Sequence, residues 1–168
     1  GDCPGTGDCP VAMDAARSVP ASFTRIPHVL IVVRAGTGGG TVASVPAGID
    51  CGSTCEASYD SGTAVTLTAT PDATSTFDGW SGGCSGTGDC TVTVDAAASV
   101  TATFTRITHV LSVGRDGTGG GTVGSSPAGI DCGATCSASY EVGTTVTLTA
   151  TPDATSIFAG WSGACTGT

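Results

Sequence analysis

The sequence predicts an all-β protein made of tandem small β-domains, sandwich-like in form, stapled by disulfides and arranged as a rod. Three observations lead to this: a repeat period of 81 residues, apolar residues alternating with threonine, and cysteines recurring in closely spaced pairs. Alternation with a period of two is typical of half-buried strands. Self-similarity at a fixed period indicates a repeat array.

The repeat sets the domain organisation. Residues 24–87 and 105–168 differ at only fifteen of 64 positions, and residues 1–23 align with residues 82–104. The sequence thus begins and ends inside copies, which favours a window from a longer array. The expected domains are the C-terminal part of a preceding repeat (1–26), a complete β-domain (27–104) and the N-terminal part of a following repeat (105–168).

Several strands are expected in the complete copy. Apolar residues alternate with threonine at Val65–Thr70, Thr91–Val94 and Val100–Phe104. This pattern places threonine outward and the apolar residues in the core.

Two local connections are also predicted. The glycine run Gly36–Gly40 lies between strands expected at Val29–Val33 and Thr41–Val45, so it predicts a hairpin turn. Asp95–Ala98 predicts one helical turn with Asp95 as its N-cap.

A comparison of the copies separates the two faces of the first strand. Leu30 and Val32 are kept in the second copy, whereas Ile31 and Val33 become serine and glycine. We therefore expect Leu30 and Val32 to face the core. Ile31 and Val33 are candidate contact residues peculiar to one repeat; drift on a tolerant surface is the alternative.

The nine cysteines predict local disulfides. Cys165 occupies the place of Cys84, and its partner is expected outside the chain. This density of disulfides indicates an oxidising, extracellular or cell-surface setting. Zinc is disfavoured because C-x2-C is absent and both histidines lie far from the cysteines in sequence. The predicted pairs are Cys3–Cys9, Cys51–Cys55, Cys84–Cys90 and Cys132–Cys136.

Charge and hydropathy argue against some partners. The net charge is −9, with five arginines and no lysine, so no nucleic acid is expected as a partner. No apolar run reaches the length of a membrane span. We expect no cofactor and no metal.

Two short motifs match catalytic signatures but do not recur with the repeat. Asp60–Thr63 matches one half of an aspartic protease site, but the next copy has Glu141 and Val142 there. Gly79–Gly83 matches G-x-S-x-G but is followed by a disulfide loop rather than a helix. We therefore expect that the protein is not an enzyme.

Some residues remain as possible ligand contacts. Trp80 and Trp161 are candidates for sugar binding if they are exposed, although packing on the disulfide is the favoured interpretation. Aspartates could gather around Ca²⁺, with solvated loop acids as the alternative. The aspartates considered are Asp50, Asp72, Asp89 and Asp95.

The motifs together resemble a known repeat. They read G-T-V-x-S-x-P-A-G-I-D-C, V-T-L-T-A-T-P, F-x-G-W-S-G-x-C and T-V-T-V-D-x-x-x-S-V-T-A-T-F, and they span nearly the whole complete copy. This is similar to the divergent internalin-type B-repeat of secreted and surface proteins of bacteria. The resemblance implies a small β-grasp-like domain with one short helix, a place in extracellular stalks, adhesins or filaments, and no catalytic residues.

The predicted function is a structural repeat unit of an extracellular filament, fibre or surface stalk, with neighbouring copies of itself as partners. In one variant, the strand at Val11–Phe23 of one chain completes the incomplete domain of another. The alternative is an adhesin or carbohydrate-binding module that binds surface glycans.

Overall fold

The computed structural model describes residues 5–165, which form eleven strands and no helix. The first repeat contains seven of the strands and the second repeat contains four. Residues 5–26 contain neither helix nor strand. The strands are β1 (Pro27–Ala35), β2 (Gly40–Val45), β3 (Glu56–Asp60), β4 (Thr63–Pro71), β5 (Ser75–Gly82), β6 (Cys90–Val94), β7 (Ala98–Arg106), β8 (Thr108–Ser112), β9 (Gly121–Ser126), β10 (Ser137–Glu141) and β11 (Thr147–Pro152).

The first repeat is a sandwich of two sheets. One sheet has the order β3-β1-β7-β5 and the other has the order β2-β4-β6. Their inner faces form one hydrophobic core, to which all seven strands contribute a buried side chain. The all-β tandem fold is thus confirmed in its sandwich-like form. The short helix implied by the B-repeat resemblance does not occur among residues 5–165.

Alternation along each strand produces this core. Leu30 and Val32 are 0% and 3% exposed, whereas Ile31 and Val33 between them are 40% and 45% exposed. Successive side chains of a strand point to opposite faces, and in β1 the two residues kept between the copies, Leu30 and Val32, lie on the buried face. Phe104 from β7 is the largest fully buried side chain.

Disulfides join the loops to the core. The structure contains Cys51–Cys55 and Cys84–Cys90 in the first repeat and Cys132–Cys136 in the second. Cys165 is an exposed free thiol. The predicted pair Cys3–Cys9 includes Cys3, which lies outside the described residues.

The central strands β1 and β7 run parallel, with Leu30 opposite Ala98 and Ala35 opposite Thr103. The chain therefore enters the sandwich at Pro27 and leaves it at Arg106 on the opposite side. Eleven residue steps separate these two residues along the strand direction. At about 3.3 Å per residue this is an advance of about 35 Å.

The predicted hairpin at Gly36–Gly40 is wrong. β1 and β2 belong to different sheets, so this loop crosses from one sheet to the other. It passes directly over β7: the Gly38 N–H donates to the Phe104 carbonyl oxygen at 2.9 Å. A Cβ on Gly38 would lie 2.7 Å from the Thr105 carbonyl carbon. The glycines therefore allow close backbone contact, not a tight hairpin turn.

The predicted helical turn at Asp95–Ala98 is also wrong. Asp95 and Ala96 form a bend between β6 and β7, and Ala98 already belongs to β7. Three alanines give helix propensity, but so short a segment cannot offset the strand pairing that begins at Ala98.

The second repeat reproduces part of the first. Among the residues that the structure describes, β8 pairs only with β10, and β11 pairs only with β9. Its buried core consists of Val123, Ile130 and Cys132, with half-buried apolar side chains packed around it.

The crossing loop gives a stability prediction. Gly36 has φ +91°, and a Cβ there would lie 2.0 Å from the Phe104 carbonyl oxygen. Gly36→Ala should lower the free energy of unfolding by about 3 kcal/mol, since backbone strain and overpacking add. Gly88→Ala is the matched control, because no atom lies within 4 Å of its Cβ position. Denaturant unfolding followed by Trp80 fluorescence, in a Trp161→Phe background, measures both. Equal effects of the two substitutions would contradict the close approach.

Candidate functional site

The candidate functional site is the junction between the two repeats. The strand patterns of the sequence predict a linker of five residues, Thr105–His109, because one predicted strand ends at Phe104 and the next begins at Val110. In the structure β7 ends at Arg106 and β8 begins at Thr108, so Ile107 alone separates them. β7 and β8 extend further into this linker than the sequence predicts, because Thr105 pairs with Thr76 and Thr108 pairs with Glu141.

The backbone of Ile107 is held from both sides. Its N–H donates to the Thr74 carbonyl of the first repeat at 2.9 Å, and its carbonyl accepts from the Val142 N–H of the second at 2.9 Å. The Ser61 N–H donates to the Ile26 carbonyl at 2.8 Å in the corresponding place one repeat earlier. The linker therefore has little freedom to rotate.

Arg106 connects the two repeats through its side chain. Its Nε donates to the Thr37 carbonyl of the crossing loop at 3.1 Å, and its Nη1 lies 2.9 Å from Glu141 Oε2 in the second repeat. Both side chains are about half exposed. An exposed ion pair of this kind contributes about 0.5 kcal/mol to stability. Its main effect is therefore on the orientation of one repeat relative to the next.

Asp72 fixes the crossing loop beside this arginine. Its Oδ1 accepts from the Thr74 N–H and hydroxyl, both at 2.9 Å, and its own N–H donates to the Gly39 carbonyl. Hydrogen bonds from Ser75 and Thr74 hold the pKa of Asp72 below its ordinary value, and the charge of Arg106 adds to this. The same arrangement recurs in the second repeat, where hydrogen bonds from Ser156 and Thr155 lower the pKa of Asp153.

The tryptophans do not form an exposed platform. Trp80 is 5% exposed, and its indole N–H donates to the Gly88 carbonyl at 2.7 Å, so its ring cannot stack on a sugar. Its ring packs edge-on against Phe77 with centroids 5.1 Å apart. Trp161 is half-buried and packs against Phe158 in the same way.

Ile31 and Val33 lie on the outer face of the four-stranded sheet. Val29 on the same strand is 38% exposed, so three branched apolar side chains form a row. Across the pairing, Ile31 lies opposite Glu56 on one side and Ser99 on the other. This row is a possible contact surface; its counterpart in β8 has a serine in place of Ile31.

The other sequence motifs lie in structural positions. Ser61 and Gly62 form the turn between β3 and β4, and Gly79–Gly82 lies inside β5. Asp89 accepts a hydrogen bond from the Thr68 hydroxyl at 2.9 Å. Within residues 5–165, no three His, Cys, Asp or Glu side chains gather into a possible metal site. No helix in that part of the chain is long and apolar enough to cross a membrane.

The roles of Arg106, Glu141 and Asp72 were missed by sequence reasoning. The available signal was their recurrence: Arg25 precedes the first repeat as Arg106 precedes the second, and Asp60 stands where Glu141 does. The arginine is thus kept at the junction, and the acidic position keeps its negative charge although Asp60 is replaced by Glu141.

The family comparison finds the same repeat that the sequence period marks. The family described as the divergent InlB B-repeat domain matches residues 31–108 and again residues 113–168. The chain belongs to this family. The two matches show that the B-repeats are in tandem, as the 81-residue period predicts. No curated protein and no solved structure matches the chain.

The junction predicts a specific effect of Arg106→Ala. The free energy of unfolding should change by less than about 1 kcal/mol, because the ion pair is exposed. The range of angles between the B-repeats should widen, as measured by residual dipolar couplings. Arg34→Ala is the control, since Arg34 binds the Gly40 carbonyl within one repeat. A widening as large in the control would exclude a special role for Arg106.

The lowered pKa of Asp72 predicts a dependence on pH. Its folded pKa lies below the ordinary 3.8, so the stability it contributes is present above that value. This contribution is lost as the pH falls through the folded pKa. The difference in free energy of unfolding between the protein and Asp72→Asn should shrink over that range, and an NMR titration should give an Asp72 midpoint below 3.8. A midpoint at or above 3.8 would contradict the hydrogen-bonded carboxylate.

Proposed function

We propose that these B-repeats are structural units of an extracellular filament, fibre or cell-surface stalk, and that they act as spacers without catalysis. The observation that carries this proposal is the parallel pairing of β1 with β7. It places the two ends of each domain on opposite sides, so that successive repeats extend away from one another instead of folding back.

The junction supports a spacer of defined length. A single residue, Ile107, links β7 to β8, and backbone hydrogen bonds hold it on both sides. A linker this short is no flexible tether. Counting Ile107 and Thr108, the advance per repeat is about 40 Å at about 3.3 Å per residue.

The disulfides support a location outside the cytoplasm. Each covers a short loop, and local disulfides of this kind persist in oxidising compartments. The family relationship also favours an extracellular or surface protein. An adhesin or glycan-binding module has less support, because Trp80 is buried.

A distance measurement tests the spacer. The chain has no lysine, so lysines introduced at the exposed, equivalent positions Thr70 and Thr151 accept nitroxide labels once the N-terminal amine is blocked. Pulsed EPR should give one narrow distance distribution near about 40 Å, the advance expected from strand geometry.

The matched variant carries Gly-Ser-Gly inserted after Ile107. Its distribution should broaden severalfold, because the inserted residues remove the backbone hold on the linker. A broad distribution already present in the uninserted protein would refute a stiff spacer.

A further inference from the structure

The first and last strands of the first repeat form one hydrogen-bonded pair. β1 runs parallel to β7, in register from Leu30 opposite Ala98 to Ala35 opposite Thr103. The chain enters the repeat at the start of β1 and leaves it at the end of β7, so tension along the chain pulls these two strands in opposite directions. All the bonds between them are then loaded at the same time, in shear. An antiparallel pair with adjacent ends would instead open one bond after another.

Both strands of this pair lie in the interior of their sheet. β1 lies between β3 and β7, and β7 lies between β1 and β5, so neither strand can be peeled away from a free edge. Water has little access to the pair from the core side, and hydrogen bonds in such a low-dielectric setting are strong. The side chains that cover the pair on this side are at most 3% exposed: Leu30, Val32, Val100, Ala102 and Phe104.

The alternation of side chains along β7 opposes a gradual slip of this strand. A shift of one residue turns every side chain of a strand to the other face. In β7 such a shift would bring Thr101 and Thr103 to the core side. It would turn the buried Val100, Ala102 and Phe104 outward. β7 therefore has no adjacent register of similar free energy, and the pair has to give way as a unit.

The crossing loop fastens the end of the pair from which the load leaves the repeat. The Gly38 N–H donates to the Phe104 carbonyl oxygen at 2.9 Å. The backbone N–H of Arg106 donates to the Thr37 hydroxyl oxygen at 3.3 Å, and its Nε donates to the Thr37 carbonyl oxygen at 3.1 Å. This loop follows directly after β1. Its bonds therefore extend the loaded contact between the two strands beyond Ala35.

We propose that the complete repeat bears tension along the chain, and that the β1–β7 pair is its mechanical clamp. This rests on the proposed spacer function and goes further, because a spacer has to keep its length but need not resist pulling. The load comes from the two bodies that a stalk or fibre joins. Resistance to it depends on the rate of unfolding under force and not on the equilibrium free energy of unfolding.

Two directions of pulling on one protein test the clamp. Handles on lysine-free peptide tags at the two chain ends load β1 against β7 in shear. Ser61→Lys gives a second attachment point in an exposed turn, since the chain has no other lysine and the N-terminal amine can be blocked. Ser61 lies beside the start of β1, because its N–H donates to the Ile26 carbonyl oxygen at 2.8 Å. Pulling between the N-terminal tag and this lysine therefore opens the antiparallel pair of β1 and β3 bond by bond. At one pulling speed the unfolding force should be severalfold lower in this direction.

Single-molecule force spectroscopy identifies the first repeat by the length that the chain gains on unfolding. The disulfides Cys51–Cys55 and Cys84–Cys90 close segments of 4 and 6 residue steps, which cannot extend. When the chain ends are pulled, unfolding of Pro27–Arg106 should lengthen the chain by about 220 Å, and reduction of both disulfides should add about 25 Å to this gain. The force is compared only for events with this length.

Two proline substitutions separate the clamp from overall stability. The Val32 N–H donates to Cys55, next to β3, at 2.8 Å, so the N–H of Val33 faces β7. The Ser44 N–H donates away from β4, so the N–H of Ala43 faces β4 in the other sheet. Both side chains are exposed, and each proline removes one bond between strands. Val33→Pro and Ala43→Pro should therefore lower the equilibrium stability similarly, but only Val33→Pro should lower the unfolding force between the chain ends.

Equal unfolding forces in the two pulling directions would overturn the clamp, and so would a loss of force in Ala43→Pro as large as that in Val33→Pro. The comparison of pulling directions leaves every strand unchanged, so it tests the proposal even where a proline prevents folding. A failure of the clamp would leave the spacer intact, because the EPR distance is measured without load.

Discussion

The parallel pairing of β1 with β7 is the constraint on which the rest of this structure depends. Because these central strands run the same way, the chain cannot return to its starting side and must leave the sandwich opposite Pro27. An antiparallel pair would bring the two ends together and would make a compact domain with adjacent termini. The parallel pair also requires long connections, and the chain uses them to build the second sheet.

The crossing loop Gly36–Gly40 joins this fold to the junction. It passes over β7 closely enough that only glycine fits at Gly36 and Gly38. The same loop presents the Thr37 carbonyl to Arg106 and the Gly39 carbonyl to Asp72. A substitution that lifts the loop should therefore affect both the stability of one repeat and its orientation relative to the next.

Strand faces and disulfide pairs could be predicted from sequence, whereas strand partners could not. Comparison of the two copies assigned Leu30 and Val32 to the core, because both are kept and side chains of a strand alternate between faces. It contains no information on the neighbour of β1, so the glycine run was interpreted as a hairpin. The pairing of Leu30 with Ala98 joins residues far apart in sequence. The chain between them also forms the strands of the second sheet, so no local pattern identifies the partner of β1. Arg106 was missed because exposed arginines are common, and only its contacts with Thr37 and Glu141 distinguish it.

The length of arrays with different numbers of repeats tests the opposite placement of domain ends most directly. Proteins with two, four and six copies of the 81-residue unit can be imaged by electron microscopy. Contour length should rise linearly by about 40 Å per repeat, as strand geometry and a one-residue linker require. A length that levels off as repeats are added would show that the repeats fold back on one another, and it would contradict the parallel arrangement of β1 and β7 as the basis of a spacer.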